Sequence, residues 1–245
     1  MPTQIIFTQF LNAHFAQPVD SLLALLHIHP VGLDPSAPMN DTFAMELLVF
    51  LVLLAFFIAV RLTLSVEKPK PVQHLAEAIN EFVSDQGESI IGHGSEGFLS
   101  FLTIILLFIL LCNLIGLVPG LKSPTADIVV PLGCALITFF YYHYHGIRVH
   151  GFKYIKQFLG PIWILSPLML LIEIVSHLAR ALSLTVRLYA NIFAGDLVTL
   201  AFFSLIPIGI PLIFLSLHVM VSVVQAFLFM ALAMSYLSLA VAEEH

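Results

Sequence analysis

At 245 residues, 60% hydrophobic and only 10% charged, the chain is far from the make-up of soluble domains, which are about 45–50% apolar and about 25% charged. That excludes a soluble enzyme on an anchor and leaves a single polytopic membrane domain over residues 1–245. A formal net charge of -6 supplies no basic patch for nucleic acid.

The first 40 residues, opening MPTQIIFTQFLNAHF, lack the cationic start of a signal peptide and read as an external N-terminal segment, 1–40. A first membrane helix is expected over 43–61, where FAMELLVFLVLLAFFIAV carries one charge, Glu46. Residues 74–91, HLAEAINEFVSDQGESII, have the period of an amphipathic helix. Leu75, Ile79, Phe82, Val83 and Ile90 form one face, and Glu77, Glu81, Asp85 and Glu88 the other. An acidic face is a poor ligand for anionic lipid, so this face points to a partner protein or to solvent.

Two more membrane helices are expected over 97–119 and 126–146. The second borrows from its tyrosine-rich flank to reach the roughly 20 residues that a bilayer core requires. Cys112 and Cys134 lie in these runs and read as small core residues, with no disulfide or metal role. The histidines of YYHYHGIRVH, His143, His145 and His150, are of a type that binds metal. Beside Arg148 at the end of a span, an aromatic interface belt is the plainer account. No metal and no other cofactor is expected.

The final stretch reads as two long helices, 161–203 and 206–242, broken around Pro207, Gly209 and Pro211. At 1.5 Å per residue the first is roughly 65 Å long and the second, from Pro211, roughly 48 Å. Both exceed an upright crossing. They must tilt strongly, bend, or divide into four short helices, and the lack of a good turn in either interior favours two tilted helices. The fold class is therefore an all-α membrane protein of about five membrane helices, the last two strongly tilted, plus an amphipathic helix on the cytoplasmic side. Arg61, Lys68, Lys70, Arg148, Lys153 and Lys156 put 61–96 and 146–158 in the cytoplasm, leaving Lys122 alone on the outer side. The N-terminus is then outside and the C-terminal AEEH inside.

The sequence LARALSLTVRLYANIFAGDL, 178–197, sets two arginines, an asparagine and an aspartate into apolar surroundings. On a helical wheel Glu173, His177, Arg180, Arg187 and Asn191 form one stripe, flanked by Ser183, and Asp196 faces elsewhere. His218, Ser222, Gln225 and Tyr236 form a matching stripe on the last helix. Helix-to-helix glue accounts readily for the serines and for Asn113. It accounts poorly for Arg187. An arginine at mid-membrane costs about 2.5–3.5 kcal/mol on insertion scales, while an interhelical hydrogen bond returns about 0.6 kcal/mol. Ionisable residues at this depth mark ion pathways. A proton-coupled antiporter or a respiratory-complex membrane subunit would also carry such charges, although the inverted repeats of many transporters are absent here.

The motif R-L-Y-A-N-I-F-A-G-D-L at 187–197, H-x6-Q-A-F-x-F-M at 218–230 and the terminal Y-L-S-L-A-V-A-E-E-H resemble subunit a of the F-type ATP synthases. N-L-I-G-L-V-P-G at 113–120 and P-T-A-D at 124–127 are similar to its middle spans. The resemblance covers roughly residues 40–245. It implies a proton-conducting stator whose last two helices lie nearly horizontal against a rotating ring of c subunits. The implied partners are that ring, the peripheral-stalk b subunits, the remainder of the F1Fo complex and membrane lipid, with no nucleotide bound by this chain. The membrane implied is a bacterial inner membrane. Arg187 matches the family's essential arginine. Asn191, Asp196, His218 and Gln225 match positions of the outer half-channel, and Glu173 an inner polar position. Asp196 departs from relatives that carry Glu or His there. Helix rise and the antiparallel turn then bring Asp196 and His218 to similar depth as the outer proton-access site, with Asn191 and Gln225 leading inward and Arg180 at the inner entrance.

Overall fold

The computed structural model describes residues 5–25, 39–65, 69–92, 94–118, 120–151, 154, 166–205 and 210–242. Lys68, Lys153, Lys156, the 161–165 start of the first long helix, Pro207 and Gly209 of the break, and the last three residues of AEEH lie outside them.

Seven α-helices occur among the described residues, with no strand: α1 Ile6–Leu25, α2 Asp41–Thr63, α3 Pro71–Ile90, α4 Leu99–Ile115, α5 Val129–His150, α6 Ser166–Leu205 and α7 Ile210–Val241. The helix starts follow local chemistry. Asn40 caps α2 by accepting a hydrogen bond from the Phe43 amide at 2.8 Å. Pro71 opens α3 at a position where its missing N–H costs nothing. Helix α4 stops at Ile115, four residues short of the expected 119. The chain folds back there, and the Ser123 hydroxyl donates to the Cys112 carbonyl at 2.9 Å, taking up one of the acceptors a helix end leaves open. Helix α5 begins at Val129, three residues after the expected 126, and runs on to His150 through the tyrosine-rich flank.

Helices α2, α6 and α7 are long and apolar enough to cross a membrane, and α4 is a shorter apolar helix. At 40 and 32 residues, α6 and α7 are about 60 and 48 Å long. Helix α7 packs against α3, α4, α5 and α6. Its Ala226, Phe229, Met230, Ala233 and Met234 are buried with Leu102, Ile105 and Ile109 of α4 and Leu184, Leu188 and Ile192 of α6. Helix α3 contributes Val83 fully buried, with Ile79 and Ile90 partly so, whereas Leu75 and Phe82 of its apolar face stay exposed.

One polar knot crosses this apolar interior. Asn113 is fully buried on α4. Its amide donates to the Ser222 carbonyl of α7 at 3.3 Å, and the Thr125 hydroxyl donates to its side-chain oxygen at 2.6 Å. The loop before α5 is thus fastened to α4 and, through it, to α7. Asn113→Leu removes both of these bonds and leaves the Thr125 hydroxyl with Ser123 alone, at 2.8 Å. It is expected to lower the thermal unfolding midpoint in detergent, by the equivalent of about 0.5–1.5 kcal/mol for each bond lost.

Candidate functional site

Helices α6 and α7 form an antiparallel hairpin whose polar residues meet at several levels. Asp196 and His218 approach near the turn, with a carboxylate oxygen 3.7 Å from Nδ1. Deeper, the Asn191 amide donates to the Gln225 side-chain oxygen at 3.0 Å. Deeper still, the Arg180 guanidinium lies over the Tyr236 ring, 5.3 Å from its centre, within cation–π range. The residue numbers step down one helix and up the other, so the two sequence stripes face each other along much of the hairpin.

The single α6 stripe expected from the wheel divides in two. His177 is buried against α5, and Glu173 and Arg180 are half-buried with it. Ser183 and Arg187 sit on an exposed side of α6, among Val186, Ala190 and Ala194, and Asn191, also exposed, lies at its edge, where it reaches Gln225 of α7. Arg187 is therefore exposed in this chain, not buried as its apolar sequence surroundings imply. No hydrogen bond or ion pair joins it to another described residue. At Ala181 and Leu184 helix α5 still lies alongside α6, and Arg187, on the next turn, is exposed.

Cavities lie at both ends of the hairpin. At the turn end, a cavity of about 680 Å³ lies between α6, the start of α2 and the loop before α5, lined by Thr42, Lys122, Asp127, Tyr189, Phe193 and Asp196 among others. Its charged rim is organised: Lys122 donates to Asp41 at 3.1 Å, and the Thr42 hydroxyl donates to Asp127 at 3.0 Å. On the other side of the α6–α7 contact, about 250 Å³ is lined by Asn191, Gly195, Thr199, Phe214, Leu217 and His218. The Asp196–His218 pair bridges these two spaces. Gly195 permits that bridge, since a Cβ there would lie 3.0 Å from Nδ1 of the imidazole. His218 is 5% exposed, and its Nε2 and the Ser222 hydroxyl are buried without a hydrogen-bond partner among the described residues.

At the open end, a cavity of about 180 Å³ is lined by Tyr142, Tyr154, Glu173, His177, Arg180 and Tyr236. The His177 ring bridges two partners: Nε2 is 3.2 Å from the Glu173 carboxylate, and Nδ1 is 2.9 Å from the Tyr142 hydroxyl. Tyr142, Tyr154, Lys122, Asp127, Asp41 and Thr42 were not singled out as site residues by sequence. A signal for two of them was available, since Lys122 is the lone cation of its side and Asp127 closes the P-T-A-D motif. The histidines of YYHYHGIRVH do not assemble with other ligands: among the described residues no group of three His, Cys, Asp or Glu is placed to hold a metal. His143 instead meets the Tyr154 hydroxyl at 2.7 Å, and His145 packs edge-on against Phe98.

A family model described as the ATP synthase A chain matches residues 42–238. The chain is 54% identical to the ATP synthase subunit a of Koribacter versatilis, with all of both chains covered. It is 43% identical to that of Solibacter usitatus, over 96% of this chain and 99% of the relative. It is 38% identical to that of Geobacter sulfurreducens, over 94% of this chain and 97% of the relative. These matches displace the antiporter and respiratory-subunit alternatives. With a family model matched over residues 42–238 and a relative matched over its full length, this chain belongs to the ATP synthase A chain family, a membrane subunit of the complex and not a catalyst on its own.

Proposed function

We propose that the chain is the proton-conducting stator of the membrane motor, offering two offset half-channels to the carboxylates of a rotating c ring, with Arg187 as the charge that separates them. The observation that carries this reading is the pair of polar cavities at opposite ends of the α6–α7 hairpin, with Arg187 exposed on α6 between their levels. The turn-end cavity is the outer half-channel and the open-end cavity the inner one. That orientation agrees with the basic loops, with the N-terminus outside, the C-terminus in the cytoplasm and the whole in a bacterial inner membrane.

The chemistry follows from elementary electrostatics. A rotor carboxyl facing lipid stays protonated, because an unpaired charge there is too costly. Opposite Arg187 the ionised form is favoured, so the proton leaves into the inner cavity. Rotation brings the carboxylate to the outer side, where Asn191, Gln225, His218 and Asp196 lead to outside water. Asp196 faces the wide cavity and His218 the rotor side, so a proton passing between them crosses the hairpin at Gly195. The buried, unpaired Nε2 of His218 supports this, since buried polar atoms normally find a partner or water. Arginine suits the separating position because it does not deprotonate in proteins and cannot relay a proton. The exposed α6 side bearing Ser183, Ala190 and Ala194 beside Arg187 suits close approach of ring helices, as small residues do in membranes.

Arg187→Ala is expected to abolish ATP-driven proton pumping in inverted vesicles while the complex still assembles. Arg187→Lys is expected to fail too, because a compact ammonium deprotonates more readily. Arg180 lies about 10 Å from Arg187 along the axis, and Arg180→Ala is expected to slow pumping without ending it. Normal pumping by Arg187→Ala sinks the assignment.

At the outer site, Asp196→Asn is expected to cut proton flux, and His218→Ala to change its dependence on outside pH. Gly195→Val, which drives a side chain into the imidazole, is expected to act like His218→Ala. Cysteines at 196 and 218 are expected to react with a soluble thiol reagent from the outside. Unreactive cysteines together with normal pumping by all three variants would make the pair simple packing.

A further inference from the structure

Around Glu173 the structure gathers two histidine–tyrosine pairs that interlock. His177 of α6 meets Tyr142 of α5 at 2.9 Å, and His143, the next residue on α5, meets Tyr154 at 2.7 Å. The His143 and His177 ring centres are 4.7 Å apart. Tyr154 reaches this position by lying flat over Gly146, where a Cβ would come within 2.6 Å of its ring. Glu173 and Arg180 from α6, Tyr142 from α5, Tyr154 from beyond the end of α5 and Tyr236 from α7 line the cavity with His177, and His143 packs against Tyr154, Phe139, Tyr142 and His177. Glue between helices needs one such pair at most. Two imidazoles in near contact, one of them on a carboxylate, are an arrangement that holds and hands on a proton.

We infer that His177 and His143 form a proton-release relay at the inner half-channel, taking the proton from Glu173 and returning it to cytoplasmic water. The relay rests on the two-channel reading above. In the first step the Glu173 carboxyl gives its proton to Nε2 of His177, leaving carboxylate and imidazolium side by side. Throughout, Nδ1–H of His177 donates to the Tyr142 oxygen, which leaves Nε2 as the base. A water entering between the rings takes the proton from Nε2 of His177 and gives one of its own to Nε2 of His143, whose Nδ1 stays on the Tyr154 hydroxyl; the Arg180 guanidinium and the short ring separation keep both rings from being charged at once. The imidazolium loses that proton to water on the cytoplasmic side, and Glu173 is free to accept the next. Imidazole suits this task because its charge changes near neutral pH.

The test uses inverted vesicles carrying the intact membrane sector with the nucleotide-binding part stripped off, so that the medium reaches the inner half-channel. Passive proton flux is measured against medium pH. The parent protein is expected to give a step in flux as medium pH is varied. The double variant His143→Gln/His177→Gln preserves hydrogen bonding but cannot take up a proton; it is expected to lose the step and about a hundredfold in flux, the low end of general acid–base contributions. Tyr142→Phe is expected to move the step while keeping most of the flux. Should the double variant not assemble with the ring, His177→Gly takes its place, with imidazole in the medium expected to restore flux; absence of restoration overturns the relay. So does a double glutamine variant with the parent's flux and pH profile. Arg187→Ala in unstripped vesicles keeps the two readings apart: if it pumps on ATP like the parent, the two-channel reading fails, whereas loss of pumping by Arg187→Ala beside a glutamine variant with unchanged flux removes the relay alone.

Discussion

Antiparallel contact between α6 and α7 joins a run of buried side chains, Leu188 and Ile192 against Ala226, Phe229 and Met230, to a ladder of polar pairs at Asp196–His218, Asn191–Gln225 and Arg180–Tyr236. The rest of the structure depends on that seam. In hydrocarbon the apolar contacts alone would let the helices slide, because lipid tails compete equally for them. Polar pairs at fixed levels set the register, and they do so with residues that also line the cavities. Helices α4 and α5 then brace α7 and α6 from behind, and the Asn113 knot holds the loop between them in place.

Much of this was legible in the sequence because a membrane simplifies the code. Long apolar runs with few charges gave α2, α4, α6 and α7, and the length of the last two already required tilt or bending. The polar stripe on α7 survives intact, since α7 has neighbours along most of its length. The stripe on α6 does not. A helical wheel reports direction around one axis, and whether a direction is covered depends on which neighbour lies there. Glu173, His177 and Arg180 border a cavity with α5 and α7, whereas Arg187 is exposed, so one stripe becomes a lined cavity and an open face. Helix ends were misjudged where distant groups decide them: α4 stops early because Ser123, in the following loop, returns to its last turn.

The residues that sequence reading passed over share a cause. Tyr142, His143 and Tyr154 sit in a stretch whose composition alone is explained by a membrane interface, and nothing local marks them as partners of α6. Their relation to Glu173 and His177 exists only once α5 and α6 are packed. Lys122, Asp41, Thr42 and Asp127 come from separate loops and helix starts, and meet at one rim only because α2 and the loop before α5 close over the same end of α6.

The uncovered side of α6 has a consequence for the life of the free subunit. A copy in the bilayer without its rotor turns Arg187, Ser183 and Asn191 toward lipid, and the arginine alone costs about 2.5–3.5 kcal/mol there. That is a sizeable part of the 5–15 kcal/mol by which proteins hold together. An unassembled copy carries that cost for as long as nothing covers this side of α6, so a partner that covers it also stabilises the subunit.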